Sequence, residues 1–80
     1  MKQQDIHIII ANALEVKTDQ INDQTKAIDV EEWDSIGHLS ILVALDNNLN
    51  GKIAKISEFS EADSIKKIID ILIHHKLIDN

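Results

Sequence analysis

Eighty residues suffice for one small domain, and a domain of this size buries only roughly 60% of the surface its unfolded chain exposes, which excludes a deep enclosed active site beside a full core. Fourteen acidic residues stand against eight lysines and no arginine, and the resulting formal charge of -6 disfavours a phosphate-backbone partner, so nucleic acid is not expected. With an apolar fraction of 44% and only Trp33 and Phe59 as aromatics, the core must be built from Ile, Leu, Val and Ala, a composition suited to packed helices.

The run Ile6 to Leu14 is too short for a membrane span, carries His7 and Asn12, and is not followed by a signal-cleavage pattern. It reads as a first amphipathic helix over residues 5–16, with Ile6, Ile9, Ile10, Ala13, Leu14 and Val16 on one arc and His7, Ala11, Asn12 and Glu15 on the other. From Lys17 to Asp34 the helical period stops. A loop this long in a small domain is uncommon and is often functional, and its apolar residues Ile21, Ile28, Val30 and Trp33 are expected to pin it to the core.

A second helix is predicted to begin at Asp34-Ser35, both good N-caps, and to run to about Leu49, where Asn50-Gly51 supplies a left-handed stop. Leu39, Ile41, Leu42, Leu45 and Leu49 give it a buried side. A loop from Gly51 to Asp63 holds one short helical turn around Ser57 to Ala62, and Asp63 or Ser64 caps a last helix whose stripe is Ile65, Ile68, Ile69, Leu72 and Ile73. His74, His75 and Lys76 fall near its C-terminus, where positive charge is favoured. No repeat or linker divides the chain, so residues 1–80 form a single all-α domain, a small four-helix bundle of three main helices and one short one. Without cysteine the fold uses neither disulfides nor thiolate metal sites, which fits a cytoplasmic setting.

The most informative stretch is Trp33-Asp34-Ser35-Ile36-Gly37-His38-Leu39, which places a hydroxyl at the exposed start of a helix after a long loop. A phosphodiester on Ser35 would meet free backbone amides and the positive end of the helix dipole. That compensation matters, because Glu31, Glu32 and Asp34 make the neighbourhood negative and no lysine occurs between Ala27 and Gly51. A partner docking there should be basic.

Asp34-Ser35-Ile36 resembles the Asp-Ser-Leu hallmark of the acyl carrier protein family at the start of its second helix. Ala44-Leu45-Asp46 is similar to that family's Ala-Leu-Glu, the Ile53 region and Ser64-Ile65 are similar to its later loop and last helix, and the helix spacing agrees across essentially the whole chain. The resemblance implies a carrier bundle without catalytic activity of its own. It implies that Ser35 is the attachment site of 4'-phosphopantetheine from coenzyme A, that Asp34 belongs to the signature read by a phosphopantetheinyl transferase, and that the second helix is the docking surface. A loading enzyme for acyl or aminoacyl groups and a downstream acyltransferase or synthase would be the further partners of a monomeric carrier. On the dipeptide alone an ordinary N-cap explains Ser35; the whole-chain pattern reverses that.

Helical geometry adds that Ile36, Ser40, Val43 and Asn47 share a narrow arc about 100 degrees or more from the Leu42, Leu45, Leu49 face. Two readings stand: an apolar partner patch, or Ile36 and Val43 wrapped against the loop. Where fatty-acid carriers place glutamates along this helix, Ser40, Asn47 and Asn48 stand here, which points to a small acyl or aminoacyl cargo in a specialised pathway.

Other constellations are weaker. Asp34, Ser35 and His38 are adjacent on one helix and cannot align as a triad, so His38 reads as a helix-surface residue. Asp46 to Gly51 has oxygen ligands at alternate positions, yet the bidentate Glu of a calcium loop is replaced by Ser57; a helical interaction module with weak calcium binding there is the alternative from a different class. The four histidines show no zinc spacing. Trp33 and Phe59 read as packing anchors.

Overall fold

Asp5 closes the first turn of the chain: its Oδ2 accepts the Lys2 backbone N–H at 2.8 Å, and helix α1 occupies Gln3–Leu14. In this computed structural model, which describes residues 1–79, α2 follows at Ser35–Asn48 and α3 at Ile65–His74. The connecting segments contain 3-10 turns at Thr18–Gln20, Ala27–Asp29, Ile53–Lys55 and Ser57–Glu61. No strand occurs among the described residues, so the chain is all-α with three main helices, and the turn expected near Ser57 takes the 3-10 form. No described helix is long and apolar enough to cross a membrane.

Helix α1 starts and stops two residues earlier than its periodicity suggests. Glu15 adopts φ 59, and the Val16 amide turns back to the Ala11 carbonyl at 3.0 Å. Val16 then packs against the core, the apolar contact that accompanies such a stop even without glycine. At the other two termini the side-chain signals operate as expected. Asn50 and Gly51 take φ 59 and 74 after α2, and of the two candidate caps for α3 it is Ser64 whose Oγ accepts the Lys67 amide, at 3.1 Å.

The core is one cluster in which Ile6 and Ile10 of α1, Ile41 and Leu45 of α2, and Ile65 and Leu72 of α3 are fully buried. Helix α1 packs most extensively on α2 and also touches α3. Because two helices cover it, its buried arc is wider than one stripe, and Ala11, expected on the polar side, is fully buried. The small side chain permits the approach.

Helix α2 shows the opposite departure. Its buried residues Gly37, Ile41, Leu45 and Leu49 recur every fourth position, and Leu39, expected among them, is 61% exposed while Leu42 is only half-buried. The helix is apolar on both flanks, so composition alone does not tell which flank the core takes.

The long loop is held by backbone as much as by side chains. The Ala27 amide donates to the Asp63 carbonyl at 2.8 Å and the Ile65 amide to the Thr25 carbonyl at 3.0 Å, forming an isolated antiparallel bridge between Lys26 and Ser64. Ile21 and Trp33 are buried as expected and Val30 is half-buried, but Ile28 does not pin the loop: the Ala27–Asp29 turn aims it outward at 90% exposure.

These assignments separate two substitutions of similar apolar loss. Leu45→Ala should cost about 2–5 kcal/mol in urea unfolding because it leaves a cavity at a fully buried site. Ile28→Ser should change stability by no more than about 0.5 kcal/mol.

Candidate functional site

The start of α2 is set by a side-chain cap. Asp34 lies in extended backbone, its Oδ1 accepts the Gly37 amide at 2.8 Å, and its carbonyl accepts the His38 amide at 2.8 Å. Ser35 is therefore the first helical residue, exposed, and the amides of Ser35 and Ile36 are the open donors of the first turn.

Gly37 brings this turn against the preceding loop. A Cβ built on it would collide with the Glu32 carbonyl oxygen and lie 3.0 Å from Leu14 Cδ2. The close backbone approach fixes where the loop ends relative to α1 and α2. Glu31 and Glu32 are exposed on the turn that makes this contact.

A groove of ≈ 420 Å³ opens beside Ser35, with Trp33 and His38 on the α2 side and Ser60, Glu61 and Ala62 facing them. His38 is half-buried, not the surface residue expected from its helical position. Its Nδ1 accepts the Trp33 Nε1–H at 3.0 Å and its Nε2 lies 2.8 Å from the Phe59 carbonyl oxygen. The two ring planes are parallel within 11°. Asp63 also lines the groove; its Oδ1 accepts from Lys67 Nζ at 2.8 Å, and this hydrogen bond and charge hold the Asp63 carboxyl below its ordinary range. Asp34, Glu61 and Asp63 leave the groove acidic overall.

On the outer face of α2, Ile36 is 77% and Val43 53% exposed, Asn47 is exposed and Ser40 is half-buried. The reading in which Ile36 and Val43 wrap against the loop is overturned. Leu39 joins them, at the i, i+3, i+7 spacing of one helix flank. Beside Leu39 and Val43 runs a second, more apolar groove of ≈ 390 Å³, floored by Leu42, Ile53, Ile56 and Phe59. Sequence reasoning missed Leu39 and the role of His38. For Leu39 the 36, 39, 43 spacing was a signal; for His38 the partner lies at Phe59, beyond any local pattern.

At the other end of α2, Asp46 is committed to structure. Residues 46–48 are helical, and Asp46 Oδ1 accepts the Ile53 and Ala54 amides at 3.0 and 3.1 Å. Those donors cap the Ile53–Lys55 turn and would have to be given up for a cation.

Protein-family models, curated protein sequences and solved structures give no match to this chain.

The cap and the close approach are separable by mutation. Asp34→Ala should lower stability by about 1 kcal/mol, with Asp34→Ser recovering most of it. Gly37→Ala should cost about 1–3 kcal/mol and shift the amide resonances of Glu32, Trp33 and Ser35, since the loop must move to admit the methyl group.

Proposed function

We propose that this chain is a discrete carrier protein of the acyl carrier type, a four-helix carrier bundle in which the Ser57–Glu61 turn takes the place of the short helix. Ser35 carries 4'-phosphopantetheine, and the protein presents an acyl or aminoacyl group to partner enzymes without catalysing a reaction itself. The observation that carries the reading is Ser35: an exposed hydroxyl at the first position of α2, beside two open amides and a groove of ≈ 420 Å³.

The residues suit that group. The amides of Ser35 and Ile36 and the positive end of the α2 dipole are placed to offset the negative charge of a phosphodiester on the Ser35 oxygen. This is needed because Asp34, Glu61 and Asp63 line the same groove. Asp34 holds the turn through its cap to Gly37 and so fixes the direction of the hydroxyl. When bound, the arm supplies a terminal thiol for a thioester. The proton of the Ser35 hydroxyl is removed by the phosphopantetheinyl transferase, which explains why the hydroxyl needs no base on this chain.

Ile36, Leu39 and Val43 form the apolar part of the docking face, and Glu31 and Glu32 with Asp34 form its acidic border. The partners are the transferase, a loading enzyme for acyl or aminoacyl groups, and an acyltransferase or synthase downstream. The carrier acts as a monomer in the cytoplasm, with a small cargo.

Incubation with coenzyme A and a broad-specificity transferase should add one arm by mass, and Ser35→Ala should abolish the addition. An unchanged mass under conditions that load a control carrier would overturn the proposal.

The docking face has its own test in loading kinetics. Val43→Asp should raise the transferase KM while leaving the thermal unfolding curve close to that of the unaltered chain, because the side chain is half-exposed and outside the core. Glu31→Lys should act through association rate, with an effect that shrinks at high salt. Unfolding by Val43→Asp would place that residue in the core and remove the face.

A further inference from the structure

Two features of the site are unused by the proposed function: the imidazole of His38 is bonded at both nitrogens, and both bonds leave its own helix. An indole N–H can only donate and a carbonyl can only accept. Trp33 Nε1–H therefore claims the lone pair of Nδ1, and the ring proton must sit on Nε2, where it is donated to the Phe59 carbonyl. The two partners leave one tautomer.

The positions of those partners give the bond pair a job. Trp33 ends the long loop two residues before Ser35, and Phe59 lies in the Ser57–Glu61 turn, whose next residues Ser60, Glu61 and Ala62 form the opposite wall of the groove. The His38 amide is anchored on the Asp34 carbonyl, so the imidazole rises from the same first turn that carries the hydroxyl. It is also half-buried, which shields both bonds from competing water.

We propose that His38 is a positioning residue for the Ser35 site: it joins the Trp33 loop to the Ser57–Glu61 turn and so fixes the direction and width of the groove onto which the hydroxyl opens. What it positions rests on the carrier reading. The clamp itself does not, because it is a property of three groups in this chain.

The reaction that Ser35 would undergo supplies the readout. This chain is the substrate of the transferase, so a variant that is merely part-unfolded lowers the effective substrate concentration and raises apparent KM. A variant whose docking face is intact but whose hydroxyl is misdirected lowers kcat instead. Ile36, Leu39 and Val43 are exposed on α2 and make neither of the clamp's hydrogen bonds, so the two effects can be read separately.

The full-length chain is compared with His38→Phe, which keeps a ring and drops both bonds, with His38→Gln, which keeps a donor and an acceptor, and with Trp33→Phe, which removes the indole donor alone. Nitrogen-15 spectra of the unaltered chain near neutral pH should show a single Nε2–H tautomer of His38, and Trp33→Phe should release it to a mixture. In transferase kinetics with coenzyme A, His38→Phe should lower kcat about 3- to 10-fold with KM unchanged, the loss expected for hydrogen bonds of ordinary strength, and His38→Gln should recover part of it. An Nδ1–H tautomer in the unaltered chain overturns the clamp. Normal loading of the unaltered chain with an undiminished kcat in His38→Phe, or a change confined to KM, overturns the positioning role alone. Failure of the unaltered chain to load overturns the carrier reading and the role at Ser35 with it, while the ring spectrum still decides whether the clamp exists.

Discussion

No side chain separates the first turn of α2 from the Glu32 carbonyl and the Leu14 methyl, and the arrangement of the whole Ser35 end depends on that contact at Gly37. Three parts of the chain meet there: the end of α1, the end of the long loop and the start of α2. A larger residue would push the loop outward, and Trp33, one position beyond Glu32, would leave the imidazole it bonds. The Asp34 cap acts on the same residue from the other side by taking the Gly37 amide. One glycine thus serves as close-packed backbone and as capped donor.

The distribution of charge follows from the same geometry. The segment from Ala27 to Gly51 carries no lysine, so α2 brings no ammonium to the groove beside Ser35. Asp63, on the groove lining, is paired with the Lys67 ammonium. Backbone amides are what α2 offers to an anion at this position, and they are distinct from the carboxylates of Glu31 and Glu32 on the preceding turn. The exposed apolar flank of Ile36, Leu39 and Val43 follows Glu31, Glu32 and Asp34 in the chain, so one end of α2 presents apolar and acidic groups together.

Much of the architecture was legible where the cause is local. Asp34 before Ser35, Ser64 before Ile65 and Asn50-Gly51 after α2 act through bonds or dihedrals within a few residues, and each terminus fell where those residues put it. Ser35 at an exposed helix start was legible for the same reason. Ala11, Ile28 and Leu39 were misplaced because burial is decided by what packs against a residue: a second helix covers Ala11, a 3-10 turn rotates Ile28 outward, and nothing covers Leu39. His38 was misread for a longer-range version of this cause. Its position on a helix wheel marks a surface, and the carbonyl that draws it inward comes from Phe59, twenty-one residues later, where no side-chain pattern announces it.

The bridge between Lys26 and Ser64 makes one wall of the groove depend on a contact remote in sequence. Helical segments of this length relax in about a microsecond from neighbouring contacts. The bridge instead closes a stretch of chain that contains the whole of α2, and its loop-closure entropy must be met before the Ile65 amide reaches the Thr25 carbonyl. Ala62 and Asp63, which form part of the groove wall, stand directly before this junction. Helix α2 thus rests on hydrogen bonds between near neighbours, while the wall opposite the Ser35 hydroxyl rests on a contact between segments that lie on either side of that helix in the sequence. The two sides of the site answer to different causes: the hydroxyl to the local cap at Asp34, the opposite wall to closure of the chain around α2.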